Sequence, residues 1–288
     1  MLPIYKKELK SYFCSVTGYA VIAVFLLFSG IFTSIYSFFY MSPSVEATYS
    51  STVFVLLAIV PVMSMRALTE EKRNKTDVLL DSLPMRTSSY VLGKYFAELT
   101  LIAVCLLIAF SYSVILSFYG KVNFLSAISG TVGYFFCASA MLAIGLFISS
   151  LFDNTAASAA VTFAVLLLSY FVPSIVLMLP TGSLTNFAVL TVLAILLSIG
   201  IGYIASSKTA AFVSMILLTV TLLILLCFFP SVLDGSAVRL MGFFSLTERF
   251  ESFSTYGVFD ISAIVYYVSV SVFFTFLAFR SMEWRLKR

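Results

Sequence analysis

MRALTEEKRNKTDVLLDSLPMRTSSYVLGK, Met65 to Lys94, is the longest polar interruption in an otherwise apolar chain, and the charge-free runs on either side of it decide the fold. It holds ten of the chain's 17 basic and 13 acidic residues: Arg66, Glu70, Glu71, Lys72, Arg73, Lys75, Asp77, Asp81, Arg86 and Lys94, with Glu98 just beyond. Water or a water-soluble partner must meet the protein at this stretch, because nothing comparable breaks the apolar runs elsewhere.

The local code within it predicts a short helix from about Lys75 to Ser82. Asn74 and Asp77 resemble a capping pair, Glu71 and Lys75 stand at the favourable i, i+4 spacing, and Pro84 disfavours helix for the residue before it. Val78, Leu79, Leu80 and Leu83 form an apolar stripe too short to span a bilayer. It suits a membrane surface or a groove on a partner. A plain solvated loop between two spans is the competing reading.

Outward from this stretch lie the charge-free runs: Ser11 to Val45, Ala47 to Met65, Leu99 to Gly120, Val122 to Phe152, Asn154 to Ser207, Thr209 to Leu233 and Ile261 to Phe279. Each accommodates at least one helix of about 20 residues, the length that crosses a hydrocarbon core. With 61% hydrophobic residues, 10% charged residues and a mean hydropathy of +1.09, an ordinary soluble domain is excluded. The fold class is all-α, a polytopic membrane protein with about eight transmembrane helices. The run after Lys10 is too long for a signal-peptide core and lacks a small-residue cleavage site, so the first span is expected to stay.

In chain order, residues 1–16 form a basic amphipathic segment at the interface, and span one runs from about Thr17 to Tyr40. Span two covers about Ser51 to Met65 and contains Pro61. The polar loop occupies 66–89. Span three, about Tyr90 to Tyr119, would be about 45 Å long as a helix, longer than the hydrocarbon core, so its first turns, with Lys94 and Glu98 as an i, i+4 pair, are expected to project into water. Span four is about Ser126 to Leu151 and span five about Thr155 to Leu179. Pro180 to Ser183 then turns into a hairpin, 184–229, of spans six (Leu184 to Ala205) and seven (Thr209 to Phe229). A mixed aromatic and charged segment, 230–260, suits interfacial helices, and the last span is about Ile261 to Phe279. Placing both termini, the loop through Lys94 and the Lys208 turn in the cytoplasm puts 14 of the 17 basic residues inside and leaves Lys121, Arg239 and Arg249 outside, as the positive-inside rule favours.

The chemistry present is sparse. No G-x-x-x-x-G-K-[ST] phosphate loop or G-x-S-x-G elbow occurs, and with no His an imidazole base or ligand is excluded. Cys14, Cys105, Cys137 and Cys227 show no paired spacing. The span centres hold no Asp, Glu, Lys or Arg, whereas an ion-coupled transporter commonly keeps such a residue at depth; the energy is expected from outside the membrane. Asp153 and Asp260 stand at span ends, where capping is the expected role. Gly145 with Ser149, Ala156 with Ala160 and Ser198 with Gly202 have small-xxx-small spacing, read as packing within one subunit or a dimer face.

Three stretches together resemble the membrane subunits of ABC exporters of the ABC-2 type, in particular the gliding-motility (GldF-like) branch. They are LPIYKKELKSYFCSVTGYAV at the start, VPVMSMRALTEEKRNKTDVLLDSLPMRTSSYVLGKYFAE around the polar loop, and FESFSTYGVFDISAIVYYVSVSVFFTFLAFRSMEWR at the end. The resemblance implies two membrane subunits, the second a copy or a homologous permease, working with two cytosolic ABC ATPase subunits that bind ATP and Mg. It implies that Thr76 to Leu83 is the coupling helix that docks on the ATPase, with Thr76, Asp77, Leu79, Leu80 and Leu83 at the contact and Arg73, Lys75 and Asp81 as polar flanks. It places Tyr5 to Phe13 at the cytosolic interface. Family members commonly have six spans, so the hairpin 184–229 is a departure.

The resulting expectation is a non-enzymatic permease subunit in a bacterial plasma membrane, both termini cytoplasmic, coupling a partner's ATP hydrolysis to export. The chain itself needs no cofactor, metal or nucleic acid, and an auxiliary extracytoplasmic subunit is compatible with it. The rival is a non-transporting membrane scaffold or assembly factor docking another cytosolic partner; an intramembrane enzyme is disfavoured by the missing His and carboxylates. The substrate is not legible.

Overall fold

Asn, Asp and Ser residues at the helix starts set most of the boundaries. The computed structural model describes residues 1–39, 46–70, 87–178, 235–255 and 257–286, with helical pieces at 186–191, 194–195, 198, 215–217, 219–221 and 223. Helix α1 (Leu2–Cys14) ends at Ser15, whose backbone is extended and whose hydroxyl accepts from the Gly18 amide at 3.3 Å, starting α2 (Val16–Thr33). Helix α2 continues through wider π-helical turns, Ser34–Phe39. Then come α3 (Glu46–Ala67), with Pro61 inside it, and the long α4 (Thr87–Ser117).

Asn123 accepts from the amides of Leu125 and Ser126 to open α5 (Phe124–Leu151), and Asn154 accepts from Ala156 at 2.9 Å to open α6 (Thr155–Met178). Gly235, at φ 70°, precedes the short α7 (Ser236–Gly242). A 3₁₀ turn (Glu248–Phe250) leads into α8 (Glu251–Thr255). Asp260 accepts from Ser262 at 2.9 Å and from Ala263, capping α9 (Ile261–Leu286).

Six of these helices are long and apolar enough to cross a membrane: Val16–Ser37, Ala47–Ala67, Thr87–Ser117, Phe124–Leu151, Thr155–Ile175 and Ile261–Trp284. They correspond to expected spans one to five and the last. The expected hairpin, 184–229, falls mostly outside the described residues, and the expected coupling helix, Thr76 to Leu83, falls wholly outside them.

The chain divides into two compact units, one of Met1–Leu168 with Leu246–Arg288 and one of Ser169–Ser245. In the second, Ser169 Oγ donates to the Phe244 carbonyl at 2.7 Å, and Leu190, Ala194 and Asn186 are buried. The first is built around α5, which packs on α9, α3 and α4. Of the most apolar stretch of α5, 72% is buried, against 22% in α6 and 28% in α9.

Small residues make that central position possible. A methyl added at Gly145 would stand 2.5 Å from Ser64 Oγ on α3, so the two helices meet where only glycine fits. Ala138, Ala140 and Ala143 are also fully buried. Tyr134 fills the space further along, its hydroxyl donating to the Thr52 carbonyl at 3.1 Å and its ring meeting Phe25 and Phe250 at 5.8 and 6.0 Å.

Phe250, Phe253 and Leu246 are buried, with α8 packed on α3 and α5, so this part of the 230–260 segment packs onto the helix bundle. The outward faces are apolar: Leu107, Ile115, Phe163, Leu168, Val265, Val272 and Phe273 are all exposed. Apolar surface on this scale is stable only in hydrocarbon, which makes the chain a membrane protein.

Candidate functional site

The polar loop has two roots, the end of α3 and the start of α4, and both are fastened into one buried cluster. At the first root the Leu68 amide donates to Ser149 Oγ on α5 at 3.1 Å, and the Thr69 hydroxyl lies 3.0 Å from the same oxygen while donating to the Met65 carbonyl. Ser149 and Thr69 are fully buried. A serine at this point of α5 therefore serves the loop. Its partner in the small-xxx-small pair, Gly145, serves the contact with α3.

At the second root Lys94 enters from α4. Its ammonium donates to the Ala67 carbonyl at the C-terminal end of α3, where the unpaired carbonyls of the last turn favour a cation. It also pairs with Glu8 of α1 at 3.6 Å and lies 4.9 Å from the centre of the Tyr90 ring. One turn further, Glu98 is fully buried and accepts from the Tyr12 hydroxyl at 3.3 Å. Burial, with the Glu98 carboxylate beside it, pushes the Tyr12 phenol well above its ordinary pKa, so Tyr12 stays protonated and donating. The Tyr5 hydroxyl reaches Thr100 Oγ1 at 2.9 Å, and Ile4 packs where Gly93 leaves room.

These contacts correct one expectation. Lys94 and Glu98 do not project into water: Lys94 is 3% exposed and Glu98 is inaccessible, because α1 lies across the start of α4 and covers them. Their spacing on α4 is as expected, but each turns to a partner elsewhere, Lys94 to Glu8 and Ala67 and Glu98 to Tyr12. The signal available in the sequence was the charge of Glu8 and Lys94, with no spacing to join them.

The predicted contact residues, Thr76, Asp77, Leu79, Leu80 and Leu83 with Arg73, Lys75 and Asp81, lie outside the described residues. What the structure supplies is the mounting of the segment that carries them. Among the described residues no group of three or more potential metal ligands comes together. The cluster is a set of buried polar ties: a cation bound to α1 and the end of α3, and a carboxylate held by a tyrosine of α1.

An all-α bundle with membrane-crossing helices, and a polar loop whose roots are tied to one another and to a basic first helix, defines a polytopic membrane protein. Residues 40–199 match the profile of the family described as ABC-2 family transporter protein, more than half of the 288-residue chain. The chain belongs to that family and is a permease component of an ABC transporter. No curated protein matches it.

Proposed function

We propose that the chain is the membrane-spanning permease subunit of an ABC exporter, of the GldF-like branch, that takes its energy from a separate cytosolic ATPase. Two permease subunits, identical or homologous, work with two ATPase subunits that bind ATP and Mg. The loop 66–89 faces the cytoplasm, as do both termini, in a bacterial plasma membrane. Thr76 to Leu83 docks in a groove on the ATPase through Leu79, Leu80 and Leu83, with Arg73, Lys75 and Asp81 at the rim.

The observation that carries this reading is the double anchorage of the loop. A loop that only joined two spans would need no buried cation at one root and no buried serine at the other, since burying a charge is unfavourable unless it is paired. Here the roots are tied to α1, α3, α4 and α5 together, so a pull on the loop reaches four helices. ATP-driven closure of the ATPase pair would move the docked segment, and the Lys94 and Ser149 ties would pass that movement to α1 and α5.

The test is ATPase stimulation. Leu79→Asp with Leu83→Asp places two charges in the apolar contact and should abolish permease-dependent stimulation of the partner ATPase, while the purified permease keeps its size-exclusion profile and melting temperature. Undiminished stimulation by that variant would remove the docking assignment.

A further inference from the structure

A groove opens sideways on the first unit, between α4, α5 and α9. Its volume is about 390 Å³, and its walls include Phe96, Leu99 and Ala103 of α4, Phe135 of α5, and Val268 and Val272 of α9. Phe96, Val268 and Val272 are exposed along its rim, so it faces the hydrocarbon.

The few polar atoms in its walls are already used. Tyr95 Oη donates to the Ser139 carbonyl at 3.1 Å, Ser139 Oγ to Phe136 at 2.7 Å, Ser271 Oγ to Tyr267 at 2.8 Å and Thr100 Oγ1 to Phe96 at 2.7 Å. A polar guest would lose its water and find few open partners. An aliphatic chain loses nothing by entering.

The position of the groove defines which leaflet supplies that chain. Ser271 is nine residues before Arg280, the first charge at the end of α9, or about 13 Å along a helix, against a half-thickness of about 15 Å for a hydrocarbon core. That end of α9 lies beside the loop-side end of α5, since Ser281 Oγ donates to the Ser150 carbonyl at 3.5 Å. The groove therefore reaches from the loop-side leaflet to about the middle of the hydrocarbon core, where Val268 stands twelve residues, or about 18 Å, from Arg280. On that side α1 reaches the groove, because Tyr5 bonds to Thr100, a groove residue, and the neighbouring Lys6 and Lys10 are exposed.

We infer that this groove and the exposed lysines of α1 form one binding site for an anionic phospholipid: an acyl chain lies between α4 and α9 and the phosphate is held by Lys6 and Lys10. The charge of α1 complements the headgroup, and the satisfied apolar walls complement the chain. Lipid so placed lies against the same helix that covers Lys94 and Glu98, so its departure would loosen the cover of the cluster.

The experiment uses the full chain in nanodiscs of equal dioleoylphosphatidylglycerol and dioleoylphosphatidylcholine, transferred to mild detergent for native mass spectrometry. The unaltered chain should keep one phosphatidylglycerol through delipidation, at least tenfold over phosphatidylcholine. Lys6→Glu with Lys10→Glu should erase that preference, and Ala103→Phe, which fills the groove, should remove retained lipid of both kinds. A second readout needs no variant: a phosphatidylglycerol carrying an acyl-chain diazirine should label the unaltered protein at residues 96–103 and 268–272. Equal retention of the two lipids, adducts spread over other lipid-facing helices such as α6, or a Val272→Cys cross-link showing a second copy seated in the groove would each overturn the assignment.

Discussion

Lys94 shows at the level of one residue how a charge stays inside a membrane protein. It is offset by Glu8 at 3.6 Å, by the Ala67 carbonyl and by the face of Tyr90. Lys94→Met keeps the length of the side chain but leaves Glu8 and the carbonyl without their cation. The expected loss is about 2–4 kcal/mol, below the full effect of breaking a buried pair because Glu8 is 18% exposed, and thermal unfolding in detergent should show it as a lower Tm. Tyr12→Phe removes one hydrogen bond to Glu98 and should lower stability by about 1–2 kcal/mol in the same assay. A Tm unchanged by Lys94→Met would mean that the cation is not held as described. The spacing of Lys94 and Glu98 was legible in the sequence. Their covering was not, because it depends on α1 crossing α4, a contact between residues more than 80 positions apart that no local spacing encodes.

At the scale of elements, α1 and α5 divide the work. Helix α1 is the cover of the cluster and α5 is the post to which the first loop root is tied. Ser149→Ala removes the hydroxyl that accepts from the Leu68 amide; with the bundle otherwise intact, it should cut ATPase stimulation several-fold while changing stability by only about 1–2 kcal/mol. Glu8→Lys reverses the charge that ties α1 to α4, and should likewise reduce stimulation while the ATPase still co-purifies. The two variants separate docking from transmission: loss of the ATPase itself in either would contradict that division. The Asp260 cap was legible, but the cap expected at Asp153 is made by the next residue, Asn154, and Asn123 opens α5 without a signal that the apolar runs supply. The central place of α5 was foreshadowed only by the small pair Gly145 and Ser149, because hydropathy alone does not distinguish a helix packed on all sides from one that faces lipid. The burial of Phe250 and Phe253 was not legible for the same reason: aromatic residues mixed with charges suit both a membrane surface and a plug on the end of a bundle.

Across the whole molecule, six membrane-crossing helices and the ABC-2 family match agree with a permease in which the two loop roots share one end of the bundle with α1 and the end of α9. The apolar runs made that class legible because a bilayer imposes its length on every span. The docking chemistry was legible only as a stripe of leucines whose partner is another protein. Reporter fusions at residue 121 and at both termini should find the termini cytoplasmic and residue 121 outside; the reverse pattern would place the loop away from any cytosolic ATPase. Whether the loop serves an ATPase is decided by purifying the tagged chain from its native membrane, identifying what remains bound by mass spectrometry and assaying hydrolysis. A P-loop ATPase should be recovered at one copy per permease, with vanadate-sensitive activity that falls on Leu79→Asp with Leu83→Asp. Recovery of the chain alone, or with partners that hydrolyse no nucleotide, would contradict it and leave a membrane scaffold as the better description.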